Sequence, residues 1–96
     1  NIVTSIKNKS NSLIVLSAYP NPFIDQISIQ FNTATNTNLD LKVYDMTGRL
    51  MKQIDFGYVT KGLYNKIVSL NDLASGAYKL VLSNNNEILE RTIEKF

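Results

Sequence analysis

Apolar residues in this chain recur at every second position, the spacing of strands that bury one face, and nowhere sustain the spacing of a helix. In residues 25–31, Ile27, Ile29 and Phe31 alternate with Gln26, Ser28 and Gln30; in residues 39–44, Leu39, Leu41 and Val43 alternate with Asp40, Lys42 and Tyr44. Residues 78–83 repeat the pattern with Tyr78, Leu80 and Leu82. Weaker runs predict strands over residues 13–18 and over 49–56, where Leu50, Ile54 and Phe56 share a face with the stem of Lys52. A further strand is predicted over 63–70, with Tyr64, Val68 and Leu70 on one face. Residues 87–95 interleave Ile88, Glu90, Thr92 and Glu94 with Leu89, Arg91, Ile93 and Lys95. Neither set is cleanly apolar, which predicts an edge strand whose charges deter edge pairing.

The joints between these runs carry turn chemistry. In Tyr19-Pro20-Asn21-Pro22-Phe23 each proline fixes its own φ and pushes its predecessor toward extended geometry, giving a stiff connection with Tyr19 and Phe23 as apolar anchors. Residues 32–38 read as a polar loop. Asp45-Met46-Thr47-Gly48 has the Asp-first, Gly-last preference of a type I turn and predicts a hairpin. Gly57 and Gly62 bracket a connection containing Tyr58 and Lys61, residues 71–75 have room for one helical turn, and Asn84-Asn85-Asn86 tolerates left-handed backbone in a tight turn. Tyr78 stands two residues after Gly76 at the start of a strand. A Greek-key sandwich places a tyrosine there, its hydroxyl bonded back to the upstream backbone. Seven strands with turn signals every eight to twelve residues predict an all-β fold: an immunoglobulin-like, seven-stranded antiparallel β-sandwich with Greek-key topology.

Composition narrows the function. Ninety-six residues, 44% of them hydrophobic, make one domain with enough apolar material for a core without staples. The net charge of +2 is scattered, so the basic stripe of a nucleic-acid or anionic-membrane partner is absent. With no cysteine and no histidine there is no disulfide, thiolate nucleophile or imidazole base. No apolar run approaches the roughly 18 residues of a membrane span. Residues 1–12 are rich in Asn, Ser, Thr and Lys and read as a linker, with residues 13–96 as the folded unit. Because residues 1–12 lack the apolar stretch of a secretory leader, any export signal of that kind is expected upstream. Asn8-Lys9-Ser10 matches a glycosylation sequon, a triplet common by chance in such sequence.

Catalytic and metal readings are weak. Asp25, Asp40, Asp45, Asp55 and Asp72 fall at strand ends or outward positions, where turns and solvated faces explain them, and glycosidase chemistry needs two carboxylates across a cleft. No Asp-x-Asp-x-Asp spacing supports calcium. Asp45-x-x-Gly48 echoes a nucleotide-switch motif but lacks a Gly-rich Lys-Ser/Thr loop. Tyr44, Tyr58 and Tyr64 are candidates for a sugar-stacking platform, set against the plainer reading that Tyr64 packs in the core and the others border it.

Three stretches in order resemble a known family. Tyr19-Pro20-Asn21-Pro22-Phe23 followed by Gln26-Ile27-Ser28-Ile29-Gln30-Phe31, then Leu41-Lys42-Val43-Tyr44-Asp45-Met46-Thr47-Gly48-Arg49-Leu50, then Leu70-Asn71-Asp72-Leu73-Ala74-Ser75-Gly76-Ala77-Tyr78, are similar to the motifs of the C-terminal sorting domains exported by the type IX (Por) secretion system of Bacteroidota. The likeness runs from residue 16 to residue 96. It makes Pro20, Asn21, Pro22, Asp45, Gly48, Leu73, Gly76 and Tyr78 the structural motif residues. It implies a non-catalytic export signal, needing no cofactor or metal, for a secreted or cell-surface protein that travels through the periplasm. Its partners are the outer-membrane machinery and a sortase-like peptidase that cleaves within residues 1–12 and couples the cargo to the surface. Recognition is expected on residues 88–96, at Ile88, Leu89, Arg91, Ile93, Lys95 and Phe96, and at the edge that strand presents, by strand addition. The alternatives are an immunoglobulin-like or fibronectin-III-like binding module, carbohydrate-binding or adhesive, and a structural spacer.

Overall fold

A computed structural model describes residues 13–85 and 87–96 of the chain. Seven strands follow in order: β1 (Leu13–Tyr19), β2 (Gln26–Thr33), β3 (Thr37–Asp45), β4 (Leu50–Val59), β5 (Gly62–Ser69), β6 (Gly76–Ser83) and β7 (Ile88–Lys95). They form two antiparallel sheets, one ordered β1-β2-β5 and the other β4-β3-β6-β7. The neighbours β2-β5 and β3-β6 are not consecutive in sequence, the mark of Greek-key connections that pass from one sheet to the other. β4 lies beside β3 rather than β5, so the fourth strand belongs to the four-stranded sheet instead of the arrangement of an immunoglobulin constant domain.

The alternation that predicted the strands also fills the core. Ile27, Ile29 and Phe31 of β2, Leu39, Leu41 and Val43 of β3, and Tyr78, Leu80 and Leu82 of β6 are all buried between the sheets. Val59, Val68, Leu70, Leu73 and Ile93 complete this layer with Leu13 and Phe23. Each such side chain contributes about 1.5–3 kcal/mol by leaving water, so a register slip that turned one of these strands over would forfeit several of these terms at once.

Elsewhere the strands run further than the apolar pattern. The loop expected over residues 32–38 shrinks to 34–36, because Asn32 and Thr33 pair with Leu63 and Gly62, and Thr37 and Asn38 with Val59 and Tyr58. Backbone pairing asks nothing of side-chain polarity, so polar residues extend a ladder as readily as apolar ones. Gly57 lies within β4 rather than in a loop, and the connection to β5 reduces to residues 60 and 61. Residues 71–75 make a turn, with the Leu73 N–H donating to the Leu70 carbonyl at 3.2 Å, and no helix.

β4 departs furthest from expectation. Its pairing with β3 shifts register twice, leaving Met51 and Phe56 without partners in the ladder. Each extra residue reverses the alternation downstream. Met51, Ile54 and Phe56 therefore pack on the core, while Leu50, expected on the same face, is exposed. At the second bulge Gly57 adopts φ +72°, which an L side chain rarely takes, and donates its N–H to the Asp55 carboxylate at 2.8 Å. Lys52 stands opposite buried Val43, and its ammonium reaches Asp72 at 3.5 Å.

The corner between β5 and β6 forms as the sequence predicts. Tyr78 is buried, and its hydroxyl donates to the Ala74 carbonyl at 2.5 Å. Ala74 itself is exposed, so its carbonyl turns to water when the hydroxyl is removed. Tyr78→Phe should therefore cost about 0.5–1.5 kcal/mol, the net worth of one hydrogen bond, rather than the larger penalty of a stranded buried acceptor. Urea unfolding checks this; a loss near zero, or one above about 3 kcal/mol, contradicts the corner as described.

Candidate functional site

The three motif stretches are separated in sequence but meet at one end of the sandwich. Asp45 at the end of β3 lies opposite Tyr78, Gly76 opposite Lys95, and Gln26 opposite Ser69. The connections 20–25, 46–49 and 70–75 therefore share one pole, and the links 34–36, 60–61 and 84–87 share the other. β7 runs between the poles and ends at the motif pole.

At that pole the Asp45 side chain organises the hairpin. Its Oδ1 accepts the Thr47 hydroxyl at 2.6 Å and the N–H groups of Thr47 and Arg49 at 3.0 Å, and its Oδ2 lies 3.3 Å from the Arg49 Nε. The Thr47 hydroxyl, then the Arg49 N–H, hold the carboxyl below its ordinary value of 3.8. Gly48, at φ +93°, donates its N–H to the Asp45 carbonyl at 3.0 Å and closes the turn.

The proline-rich segment does something the sequence does not announce. Phe23 is fully buried, and its backbone bridges to β7 in parallel, opposite Lys95. The Phe23 N–H donates to the Glu94 carbonyl at 2.9 Å, and the Phe96 N–H donates to the Phe23 carbonyl at 2.9 Å. Asn21 completes the seam: its Oδ1 accepts the Glu94 N–H at 2.9 Å, and its Nδ2 donates to the Thr92 carbonyl at 3.3 Å. Pro20 and Pro22 stay exposed, both after cis peptide bonds. Of the two expected anchors Phe23 holds, whereas Tyr19 is mostly solvent-facing with its hydroxyl accepting from Asn65 Nδ2 at 3.0 Å.

β7 is an edge strand, paired only with β6 in its sheet. Its six candidate recognition residues divide. Ile93 is 0% exposed and sits in the core, and Leu89 packs half-buried against it, so these two hold the strand rather than present it. Ile88, 65% exposed, and Phe96, 69% exposed, face outward. Arg91 is exposed, with one guanidinium nitrogen on the Glu90 carbonyl at 3.0 Å, and Lys95 is half-buried. The turn before β7 is closed by the Asn84 N–H on the Glu87 carbonyl and the Glu87 N–H on Asn84 Oδ1; Asn86 lies outside the described residues, and no described asparagine takes positive φ.

Other candidate chemistry does not assemble. Tyr44 and Tyr58 occupy opposite ends of the β3–β4 pair, since Tyr58 faces Asn38; six residues of strand put them roughly 20 Å apart. Tyr64 stacks on Phe31 with ring centres 5.5 Å apart and donates its hydroxyl to the Thr60 carbonyl. The three tyrosines therefore form no common platform. Asp40 faces Asp55 across the strands but is satisfied by Lys42 at 2.6 Å and by Gln53; the Lys42 bond lowers the Asp40 pKa and raises that of Lys42. Among the described residues no three carboxylates gather as a metal would require, and no helix is long and apolar enough to cross a membrane.

Two outcomes follow from this geometry. Ile93→Ala should destabilise the domain by about 2–5 kcal/mol, whereas Ile88→Ala should change stability by less than about 0.5 kcal/mol; equal losses in urea would refute the division of β7. A depressed carboxyl pKa stabilises the fold fully above the unfolded value and loses that contribution as pH falls through the folded one. Wild type should therefore unfold at higher urea than Asp45→Ala at pH 7, and the gap should close below the ordinary carboxyl value of 3.8. A gap independent of pH would remove Asp45 from the account.

In comparison with known families, the model of the secretion system C-terminal sorting domain matches residues 17–95. No curated protein matches the chain.

Proposed function

The chain belongs to the type IX secretion system C-terminal sorting domain family, and from that premise we propose that it acts as a folded, non-catalytic address on a cargo protein joined upstream. The family implies a secreted or cell-surface destination and an interaction with the type IX machinery. Beyond this, the reading is that the cargo crosses the periplasm of a Bacteroidota cell and is exported through the outer membrane. A sortase-like peptidase then cuts the linker in residues 1–12, which lie outside the described residues, and couples the cargo to the surface.

One observation carries this reading: the motif residues serve the architecture, while β7 lies at the edge of its sheet with Ile88, Arg91 and Phe96 exposed. Pro20, Asn21, Pro22, Asp45, Gly48, Leu73, Gly76 and Tyr78 all lie at the pole where turn, corner and seam meet. There Asn21 binds the β7 backbone, Asp45 and Gly48 close a turn, and Tyr78 and Leu73 pack the corner. Ile88, Arg91, Lys95 and Phe96 are left as the recognition residues, on a strand held rigidly from beneath by Leu89 and Ile93. The carbohydrate-binding alternative loses its tyrosine platform with the separation of Tyr44 from Tyr58.

The test is a fusion of the 96-residue chain to the C-terminus of a periplasmic reporter, expressed in a bacterium with a type IX system. Reporter should reach the surface or the medium, and Arg91→Glu with Lys95→Glu should hold it in the periplasm while the domain still folds. Reporter retained despite the unaltered domain would overturn the reading.

A further inference from the structure

The outer edge of β7 is hydrogen-bonded along one half and leaves backbone donors unpaired along the other, among the described residues. In an antiparallel ladder alternate residues turn both backbone groups to the partner strand, and the residues between turn both away. The bonds of Glu94 and Phe96 to Asn21 and Phe23 identify the even-numbered residues as the outward row. Toward the motif pole that row is taken: the Thr92 carbonyl, both groups of Glu94 and the Phe96 N–H are bonded to the 21–23 segment. Toward the other pole Arg91 covers the Glu90 carbonyl, while the N–H groups of Glu90 and Thr92 meet no partner among the described residues. Unpaired donors on a strand edge are a template for another strand.

The side chains beside this open half narrow what fits. On the outer face of β7, Ile88 is exposed and the only charges are the carboxylates Glu90 and Glu94. Lys79 approaches Glu90 at 3.6 Å from within the sheet, leaving its outward side to solvent. Ile88 forms one wall of an open groove of about 490 Å³, shared with Tyr44, Met46 and Val81 and with the charged Lys79, Glu90 and Asp45. A second copy fits poorly: two-fold antiparallel pairing centred on residue 90 would set Glu90 directly against Glu90 of its twin, and like charges so placed destabilise.

We propose that residues 88–92 are the docking edge for one extended segment of the export apparatus, a deepening that rests on the sorting function above. That segment adds as a fifth strand to the β4-β3-β6-β7 sheet, with a basic side chain opposite Glu90 and an apolar one opposite Ile88. Its reach ends at Thr92, because Asn21 and Phe23 already occupy the edge beyond. The Pro-Asn-Pro-Phe segment is thus an edge guard that fixes where docking stops.

The experiment places a photoreactive benzoylphenylalanine at position 90 or 94 of the reporter fusion and irradiates cells during export. Crosslinks to a component of the outer-membrane machinery are expected from position 90 and at most about a tenth as many from 94. In parallel, Glu90→Arg should slow export about tenfold, and Glu94→Arg should change it less than about twofold, with circular dichroism confirming that both domains fold. Should Glu90→Arg misfold, Glu90→Gln takes its place and still slows export by several-fold. Equal crosslinking at both positions, crosslinking only to a second copy, or export indifferent to Glu90 overturns the docking edge while leaving the sorting function standing. A fusion that is never exported defeats the sorting function, and the docking edge with it.

Discussion

The seating of Phe23 is the constraint on which the presentation of β7 depends. Its ring is withdrawn completely from water, worth about 1.5–3 kcal/mol, and this forces its backbone beside the last strand. A buried peptide group without partners is costly, and the Phe23 N–H and carbonyl meet that demand on Glu94 and Phe96. Asn21 adds a side-chain amide that spans the Thr92 carbonyl and the Glu94 N–H, fixing the segment in register with the strand. Contacts across more than seventy residues thus tie the start of the fold to its end.

The other motif residues of the fold serve the same pole. The Asp45 carboxylate closes the β3–β4 turn, and the Tyr78 hydroxyl closes the corner before β6, the strand on which β7 rests. Ile93 locks β7 to that support from within. The result separates two tasks on eight residues of strand: Leu89 and Ile93 hold it on the core, while Ile88 and Glu90 face solvent beside half of one backbone edge.

Much of this was legible in the sequence where burial is one-sided. The alternations through Ile27–Phe31, Leu39–Val43 and Tyr78–Leu82 identified the core faces because a period of two leaves only one face to bury. The hairpin at Asp45 and the corner at Tyr78 were legible because their chemistry is local. The bulges of β4 were not: an unpaired residue breaks the alternation without any compositional mark, and Gly57 read instead as the start of a loop. The Asn21 seam was equally hidden, since nothing in Pro-Asn-Pro says which distant backbone an amide will reach. The separation of Ile93 from Ile88 followed from neither composition nor motif; it needed the second sheet, which covers one side of β7 and not the other.

Amide hydrogen exchange on the 96-residue chain, resolved at single residues by NMR, tests this account most directly. Glu90, Thr92 and Glu94 share one strand edge, and their N–H groups point the same way. The account predicts that Glu94 exchanges at least about tenfold more slowly than Glu90 and Thr92, because only its N–H is bonded, to Asn21. Equal exchange at all three would mean that the edge is not divided, and the central claim would fall.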